Sequence, residues 1–486
     1  MTQIKLPKLR KVNSNRVEKK KILLMSDDLR MHSGVATVSK DIVLETIHKY
    51  DWVQLGGAIK HPEAGQIFDM SAALREEYDL DDPYLKIYPV DGYGNPDLLR
   101  EVIEMEKPDA ILHYTDPRFW IWLYNMEHEI RQNIPIMYYT IWDDLPDPHY
   151  NESYYRSSDL LMGISKQTYG INKRILPDYR NWQIKYVPHG INSKRFHKIE
   201  DKNDTKFKKF ETDTGLDKFK FKLLYSNRNI RRKVPGDVVM AYKYFMDSLT
   251  KEQQKECCLV FHTQPSDDNG TDLRVVCERM IPDYNVIFTY DTYDRPFNDD
   301  EMNFLFNSAD VYINIASNEG FGLGSAEALS VGTPIVVNVT GGLQDQCGFT
   351  KTEWDETVDG VKSNPTKSYL TEDDYILLGS NHKGQYTEHG EWVKPIFPNN
   401  ISLQGSPLTP YIFDDRANSD DAGEAIKHWY SIGADERKRC GDLGYEFVKD
   451  NTTGMDSKEM GNKFIEAMDG TFENWKPRKR YSLEVV

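Results

Sequence analysis

The sequence predicts an α/β protein built from two doubly wound domains in series. Apolar or β-branched runs alternate with amphipathic segments, beginning with KILLMS at 21–26, VATVSKDIVLETIHKY at 35–50 and WVQLGGA at 52–58. A charged stretch at 198–220 interrupts this alternation, which restarts with FKLLYS at 221–226. Alternation of strands and helices is typical of parallel sheets that are covered by helices on both faces. Two such sheets are therefore expected, with a cleft between them as the site.

Length and composition agree with a two-domain protein. The chain has 486 residues, of which 39% are hydrophobic, and this length fits two domains of roughly 200 residues each. The sequence contains no run of eighteen apolar residues, and its first residues lack the apolar core of a signal peptide. We therefore expect no integral membrane segment and a cytoplasmic location, in the host cytoplasm if the protein is viral.

We expect four parts along the chain. A basic N-terminal tail covers 1–20, a first Rossmann-like domain covers 21–197, and a second covers 198–455. Within the second domain, an insertion at about 345–410 is rich in Gly, Asn, Thr, Ser and acidic residues, and it forms a lid, an acceptor-recognising insertion or a peripheral hairpin. A C-terminal helix and basic tail cover 456–486 and return to the first domain.

The net formal charge of −16 excludes a surface that is basic everywhere. Eight basic residues nevertheless cluster within residues 1–21 and four within 476–480. These residues form either solvated tails or a patch for a phosphate-rich partner.

The segment NEGFGLGSAEALSVGTP, from Asn318 to Pro334, carries the clearest chemical signal. An apolar strand leads into a glycine-rich turn and then into a helix of good helix formers. The first turn of a helix has unpaired N–H groups and a partial positive charge, so phosphate is its natural ligand. Glycines at 320, 322 and 324 would let a ligand approach the backbone closely.

Two acids, Glu319 and Glu327, flank these glycines. Eight residues of helix separate them by about 12 Å, which is the scale of a nucleoside diphosphate that carries a sugar at each end. Each carboxylate would then accept hydrogen bonds from sugar hydroxyls. Alternatively, Glu319 caps a helix and Glu327 is a solvated helix residue.

The same segment resembles the Glu-x7-Glu signature of retaining glycosyltransferases of family 4, including bacteriophage-type members. Four further stretches resemble family elements in the expected order: SDDLRMHSGVATVSKDI, VPHGINSKRF, SNRNIRRK and DVYINIASNEG. The resemblance implies a GT-B architecture and transfer of a sugar from a UDP- or GDP-sugar to an acceptor hydroxyl, with retention of configuration. It also implies that no metal ion and no cofactor beyond the donor are essential.

By position, the resemblance makes Glu319 a contact of the donor sugar and Glu327 a contact of the ribose. Arg228 and Lys233 would neutralise the diphosphate, with Arg231 and Arg232 able to substitute. Gly34, in the loop after the first strand, would approach the donor phosphates. Backbone N–H groups for the diphosphate would come from Gly320, Phe321, Gly322 and Leu323.

The segment IPIMYYTIWDDLPDP departs from the family, which commonly has a histidine near the transferred sugar at this place. Asp143 is our candidate for polar catalytic work beside Glu319, and Trp142 is a candidate stacking surface. His113 and Asp116, in LHYTDP, are candidates for the acceptor side or are an ordinary polar strand end.

The sequence leaves the acceptor open. It could be a glycan, a lipid, a small molecule or a hydroxymethylated pyrimidine in DNA. A non-catalytic protein that binds nucleotide sugars or glycans is the remaining alternative.

Overall fold

The structure, a computed structural model, describes residues 19–58, 60–355 and 363–478. Its first sheet consists of β1 (Lys20–Asp27), β2 (Tyr50–Ala58), β3 (Phe68–Asp69), β4 (Leu85–Asp91), β5 (Ala110–His113), β6 (Ile136–Thr140), β7 (Leu160–Gly163) and β8 (Ile184–Tyr186). The strands lie in the order β3-β4-β2-β1-β5-β6-β7-β8, and all neighbours are parallel except β3 and β4.

The strands of the first sheet are connected mainly by helices, as the alternating sequence pattern predicts. These helices are α1 (Gly34–Thr46), α2 (Ser71–Tyr78), α3 (Pro96–Glu106), α4 (Ile121–Asn125), α5 (Glu127–Ile130), α6 (Glu152–Arg156) and α7 (Lys166–Ile175). Sequence signals explain where several of them begin: Ser33 caps α1 by accepting a hydrogen bond from Ala36 N at 3.0 Å, and Asn95 with Pro96 starts α3.

The second half of the chain repeats the arrangement. Its strands are β9 (Phe221–Ser226), β10 (Cys257–His262), β11 (Val286–Phe288), β12 (Val311–Asn314), β13 (Ile335–Asn338), β14 (Thr350–Asp355), β15 (Ser363–Tyr369), β16 (Val393–Ile396), β17 (Asn400–Ser406) and β18 (Thr409–Arg416). Six of them form a second, fully parallel sheet in the order β11-β10-β9-β12-β13-β16. The helices are α8 (Thr205–Thr214), α9 (Pro235–Asp247), α10 (Lys251–Lys255), α11 (Leu273–Met280), α12 (Asp299–Ser308), α13 (Leu323–Ser330), α14 (Asp374–Leu378), α15 (Ser419–Ser431), α16 (Gly433–Lys449) and α17 (Ser457–Asn474).

The segment predicted as an insertion at about 345–410 contains regular structure. It holds the antiparallel hairpin β14–β15, the short helix α14, and β16, which forms the edge of the second sheet. Another antiparallel hairpin, β17–β18, follows and ends at Arg416. Helix α14 lies against α7, where Arg174 Nη1 donates to Tyr375 O at 2.8 Å. This part of the chain therefore contacts the first domain.

Helix α17 packs along α1 of the first domain. Tyr50 Oη donates to Asp469 Oδ1 at 2.8 Å, and the Lys20 ammonium lies 5.6 Å from the centre of the Phe472 ring. Lys20 also pairs with Asp109 at 2.9 Å. Of the predicted basic tail over 1–20, only Lys19 and Lys20 lie within the described residues. No helix in the described ranges has the length and apolar character needed to cross a membrane.

An apolar contact joins the two domains. The largest cluster of buried hydrophobic side chains contains Tyr139 and Ile164 from the first domain together with Phe321 and Leu343 from the second. The ring of His189 lies edge-on to Phe321, with 5.1 Å between the ring centres. The second domain's glycine-rich loop is thereby pressed against the first domain.

Candidate active site at the facing edges of the two sheets

Each parallel sheet has one point where the chain reverses its direction of winding. In the first sheet, this point lies between β1 and β5, and in the second it lies between β9 and β12. Loops that leave such neighbouring strands diverge and open a crevice at the carboxyl ends of the strands, which is where doubly wound proteins bind ligands. Lys233 lies in the loop after β9 and Glu319 in the loop after β12. The topology therefore explains why two residues that are 86 positions apart meet.

Lys233 and Glu319 form a buried ion pair between Nζ and Oε2. The two residues are 6% and 9% exposed. Burial lowers the pKa of Lys233 well below its usual value and the neighbouring Arg232 lowers it further, whereas Asp143 opposes the shift. A second anionic partner would strongly stabilise the charged form of Lys233, because burial otherwise disfavours that form.

The glycine-rich loop needs its glycines for conformation and for space. Gly322 precedes α13 with φ of +89°, in the left-handed region that side chains disfavour. A Cβ on Gly320 would lie 2.9 Å from Ile164 Cδ1 and 3.2 Å from Ile141 O, both in the first domain. The backbone of this loop is thus in direct contact with the opposite domain.

Polar contacts also join the domains beside the ion pair. Arg232 Nη1 donates to Asn318 O at 2.6 Å and lies 3.7 Å from Asp143 Oδ2. The Asn318 amide donates to Asp144. Burial raises the pKa of Asp144 well above its usual value and the adjacent Asp143 raises it further, so this carboxyl favours its neutral form. Asp143 thus lies beside Arg232, and its charge raises the pKa of Lys233.

No family model matches the chain, and no curated protein matches it. Solved structures do match along nearly the whole length. Anabaena HepE in complex with UDP and glucose is 13% identical, with a TM-score of 0.60 over 93% of this chain and 99% of that chain. Sucrose-phosphate synthase from Thermosynechococcus elongatus is 12% identical, with a TM-score of 0.61 over 94% and 100%. The E. coli trehalose-6-phosphate protein bound with UDP-2-fluoro glucose is 11% identical, with a TM-score of 0.59 over 94% and 100%.

The chain has the GT-B fold. Its two sheets face each other across a cleft, as the sequence predicts, and Gly34 borders the opposite domain. The Cβ position of Gly34 is 3.5 Å from Leu323 Cδ1 of the opposite domain. Glu327 is half-buried, and burial raises its pKa to about 7, with Asp41 raising and Arg195 lowering it. Glu327 is therefore not the fully solvated helix residue of the alternative interpretation.

Other candidate residues lie apart from the ion pair of this GT-B cleft. Arg228 is exposed, and its Nε donates to Asp267 Oδ2 at 3.2 Å. His113 is completely buried, with Nδ1 2.6 Å from Tyr124 Oη, and burial lowers its pKa to about 3. In this conformation His113 cannot contact an acceptor in the cleft, because apolar and aromatic side chains surround it.

Asp116 and Trp142 do lie at the carboxyl edge of the first sheet. Asp116 pairs with Arg118, whose guanidinium lies 5.7 Å from the centre of the Trp142 ring. Trp142 Nε1 donates to Asp144 O at 2.9 Å, and its ring meets Tyr150 edge-on. The Trp142 ring is thus fixed in place by its neighbours.

Two carboxylates at this edge of the GT-B fold have no role in the sequence analysis. Asp28 is buried, and its carboxylate accepts hydrogen bonds from Arg30 and His61. Asp27 lies at the carboxyl end of β1, beside the winding reversal. The available signal was positional: a polar residue that directly follows a buried strand.

Proposed function

We propose that this chain is a retaining glycosyltransferase that moves a sugar from a nucleoside diphosphate sugar, most simply a UDP-sugar, to an acceptor hydroxyl. The observation that carries this proposal is the buried Lys233–Glu319 pair at the winding reversal of the second sheet, beside a glycine-rich loop and the N-terminus of α13. The similarity of the fold to structures bound with UDP, and the Glu-x7-Glu resemblance, support the same donor.

The donor's diphosphate would lie against Lys233 and the backbone N–H groups from Gly320 to Leu323. Its charge supplies the second anionic partner that Lys233 lacks, and it releases Glu319 to accept hydrogen bonds from hydroxyls of the transferred sugar. Arg232 is exposed next to Lys233 and would add positive charge as the leaving group forms. Arg228, whose exposed side chain donates to Asp267, would swing toward the phosphates.

The reaction breaks the bond between the anomeric carbon and the oxygen of the diphosphate, while the acceptor oxygen bonds to the same carbon. Retention follows if the acceptor attacks from the face that the diphosphate leaves. The acceptor's proton then passes to the departing phosphate oxygen, and nucleoside diphosphate is released. Asp143, next to Arg232 across the cleft, would hold a hydroxyl of the sugar or acceptor during this step.

Nucleotide binding tests the donor assignment directly. Thermal unfolding would be measured with UDP, GDP, UDP-glucose, UDP-galactose and GDP-mannose. A ligand at 100 times its dissociation constant stabilises the folded protein by about 2.7 kcal/mol. For a domain of roughly 200 residues, this raises the melting temperature by about 5–11 °C. Release of UDP or GDP would then be followed with the best donor.

A matched pair of lysine variants makes the test specific. Lys233→Met should abolish the nucleotide-induced shift. Lys198→Met removes a lysine that pairs with Asp442 at 2.8 Å, away from the winding reversal, and should retain the shift. The proposed function is wrong if no nucleotide raises the melting temperature of the unaltered protein. It is also wrong if nucleotide raises the melting temperature of Lys233→Met as much as that of the unaltered protein.

A further inference from the structure

An aromatic stack lies at the carboxyl edge of the first sheet, beside the winding reversal. Tyr93 follows β4, and Phe119 lies in the 3-10 turn after β5. Their rings are parallel, with 5.0 Å between centres and an angle of 4° between planes. Trp120 meets Tyr93 edge-on at 5.4 Å, and Gly57 leaves room for the Tyr93 ring, which a Cβ would approach to 2.7 Å. Phe119 is 54% exposed, so the stack is supported from within and open on its outer side.

Two carboxylates flank this stack. Asp27 ends β1, and Asp116 caps the turn that carries Phe119 by accepting from Arg118 N at 2.9 Å. Asp27 is the register partner of Gly57, whose Cβ position lies 2.7 Å from the Tyr93 ring, so this carboxylate also lies at the edge of the stack. Burial raises the pKa of Tyr93, and the charges of Asp27 and Asp116 raise it further. Both residues are partly exposed and able to accept further hydrogen bonds.

The same carboxylates connect the stack to the proposed donor site. Asp27 Oδ2 accepts a hydrogen bond from Ser33 Oγ at 2.9 Å, and Ser33 caps α1. A Cβ on the next residue, Gly34, would lie 3.5 Å from Leu323 Cδ1 in the first turn of α13. A ligand on the stack that reaches Asp27 is therefore within one short loop of the donor's phosphate-binding helix.

The hairpin β17–β18 contacts the turn that carries Phe119. Arg118 donates to Thr409 at the start of β18 while it pairs with Asp116. Leu408, at the turn of this hairpin, is 68% exposed. The end of the predicted insertion therefore contacts the turn that carries Phe119, through Thr409.

We propose that the surface formed by Tyr93, Phe119, Asp27 and Asp116 is the acceptor subsite and that its acceptor is a glycoside. The apolar face of a sugar ring stacks on Phe119, and the hydroxyls at the ring edge donate to the two carboxylates. The inference rests on the proposed function and extends it by giving the class of acceptor.

The charge distribution favours a glycoside over a nucleic acid at this surface. Carboxylates flank the stack, and the chain as a whole has a formal charge of −16, so a phosphate backbone would be repelled. The described basic residues near the chain ends lie elsewhere: Lys20 begins β1 whereas Asp27 ends it, a separation of about 23 Å along the strand. Arg478 pairs with Glu127 on α5, before β6 begins.

The experiment uses the full chain with the UDP-sugar that gives the largest thermal shift. Release of UDP would be measured with methyl glycosides of glucose, galactose and mannose, and separately with hydroxymethylcytosine-containing duplex DNA. Phe119→Leu and Asp27→Asn test the subsite. Trp354→Leu is the matched control, because Trp354 is an aromatic residue of comparable exposure, 49%, on the separate hairpin β14–β15.

We expect at least one glycoside to accelerate UDP release. Phe119→Leu should raise the KM for that glycoside about tenfold, Asp27→Asn should raise it as well, and Trp354→Leu should leave it unchanged. The dissociation constant for UDP should stay within about twofold of that of the unaltered protein in Phe119→Leu and Trp354→Leu, because neither residue contacts the donor loop.

Three results would overturn the inference. If UDP binds but only the DNA accelerates its release, or if the glycoside KM is the same in Phe119→Leu as in the control, the subsite assignment fails and the donor assignment stands. If no nucleotide binds at all, the proposed function fails, and this inference fails with it.

Discussion

The buried ion pair between Lys233 and Glu319 gives the sharpest test of the site's energetics. Lys233→Met removes the cation and leaves the Glu319 carboxylate buried without its partner. Breaking a buried pair in this way costs about 3–5 kcal/mol, because the remaining charge has lost both its water and its counter-ion. For a domain of roughly 200 residues, this corresponds to a melting temperature that is about 6–20 °C lower.

The double variant Lys233→Met with Glu319→Leu separates this effect from simple loss of packing. Both groups become apolar, no buried charge remains, and most of the lost stability should return. The single and double variants would be compared by differential scanning calorimetry at pH 7 without nucleotide. Equal melting temperatures of the two variants, or a single variant within about 2 °C of the unaltered protein, would refute the view that the pair is buried and mutually neutralising.

Three further predictions concern the same cleft. Gly320→Ala places a Cβ 2.9 Å from Ile164 Cδ1, so it should force the domains apart, lower the stability by about 1–3 kcal/mol and lower turnover. Thermal unfolding and UDP release would measure the two effects, and undiminished turnover would contradict the prediction. The pKa of Glu327 is about 7 in the folded protein and about 4.5 in the unfolded chain, so the stability that its protonation contributes is lost as the pH rises from 4.5 to above 7. The free energy of unfolding of Glu327→Gln should therefore rise by up to about 3 kcal/mol relative to that of the unaltered protein between pH 4.5 and 8. A difference that does not change with pH would argue against the burial of Glu327. Arg232→Met breaks a half-exposed pair with Asp143, so it should change the stability by less than about 1 kcal/mol and weaken UDP binding. Isothermal titration would measure the binding, with Lys198→Met as the control. Unchanged UDP binding would show that Arg232 is not part of the donor site.

The sequence by itself determined the fold class, and it supplies the candidate residues for the donor half of the proposed site. Alternating apolar runs and amphipathic segments are local patterns. A strand that is buried on both faces is apolar along its whole length, and a helix that is buried on one face is apolar at every third or fourth residue. The glycine-rich turn before α13 is equally local, since Gly322 adopts a left-handed conformation that few other residues tolerate.

Only the tertiary structure decided which distant residues meet. Strand order cannot be read from the periodicity. The sequence therefore does not reveal that β9 lies beside β12 and brings Lys233 to Glu319, or that β1 pairs with β5, so that Asp27 and Asp116 follow neighbouring strands. Burial is likewise a property of the assembled domains. His113 ends a strand in the same way as a cleft residue would, but the aromatic side chains around it enclose it completely. Phe119, which carries no sequence motif, remains exposed because the Tyr93 ring covers only one of its faces.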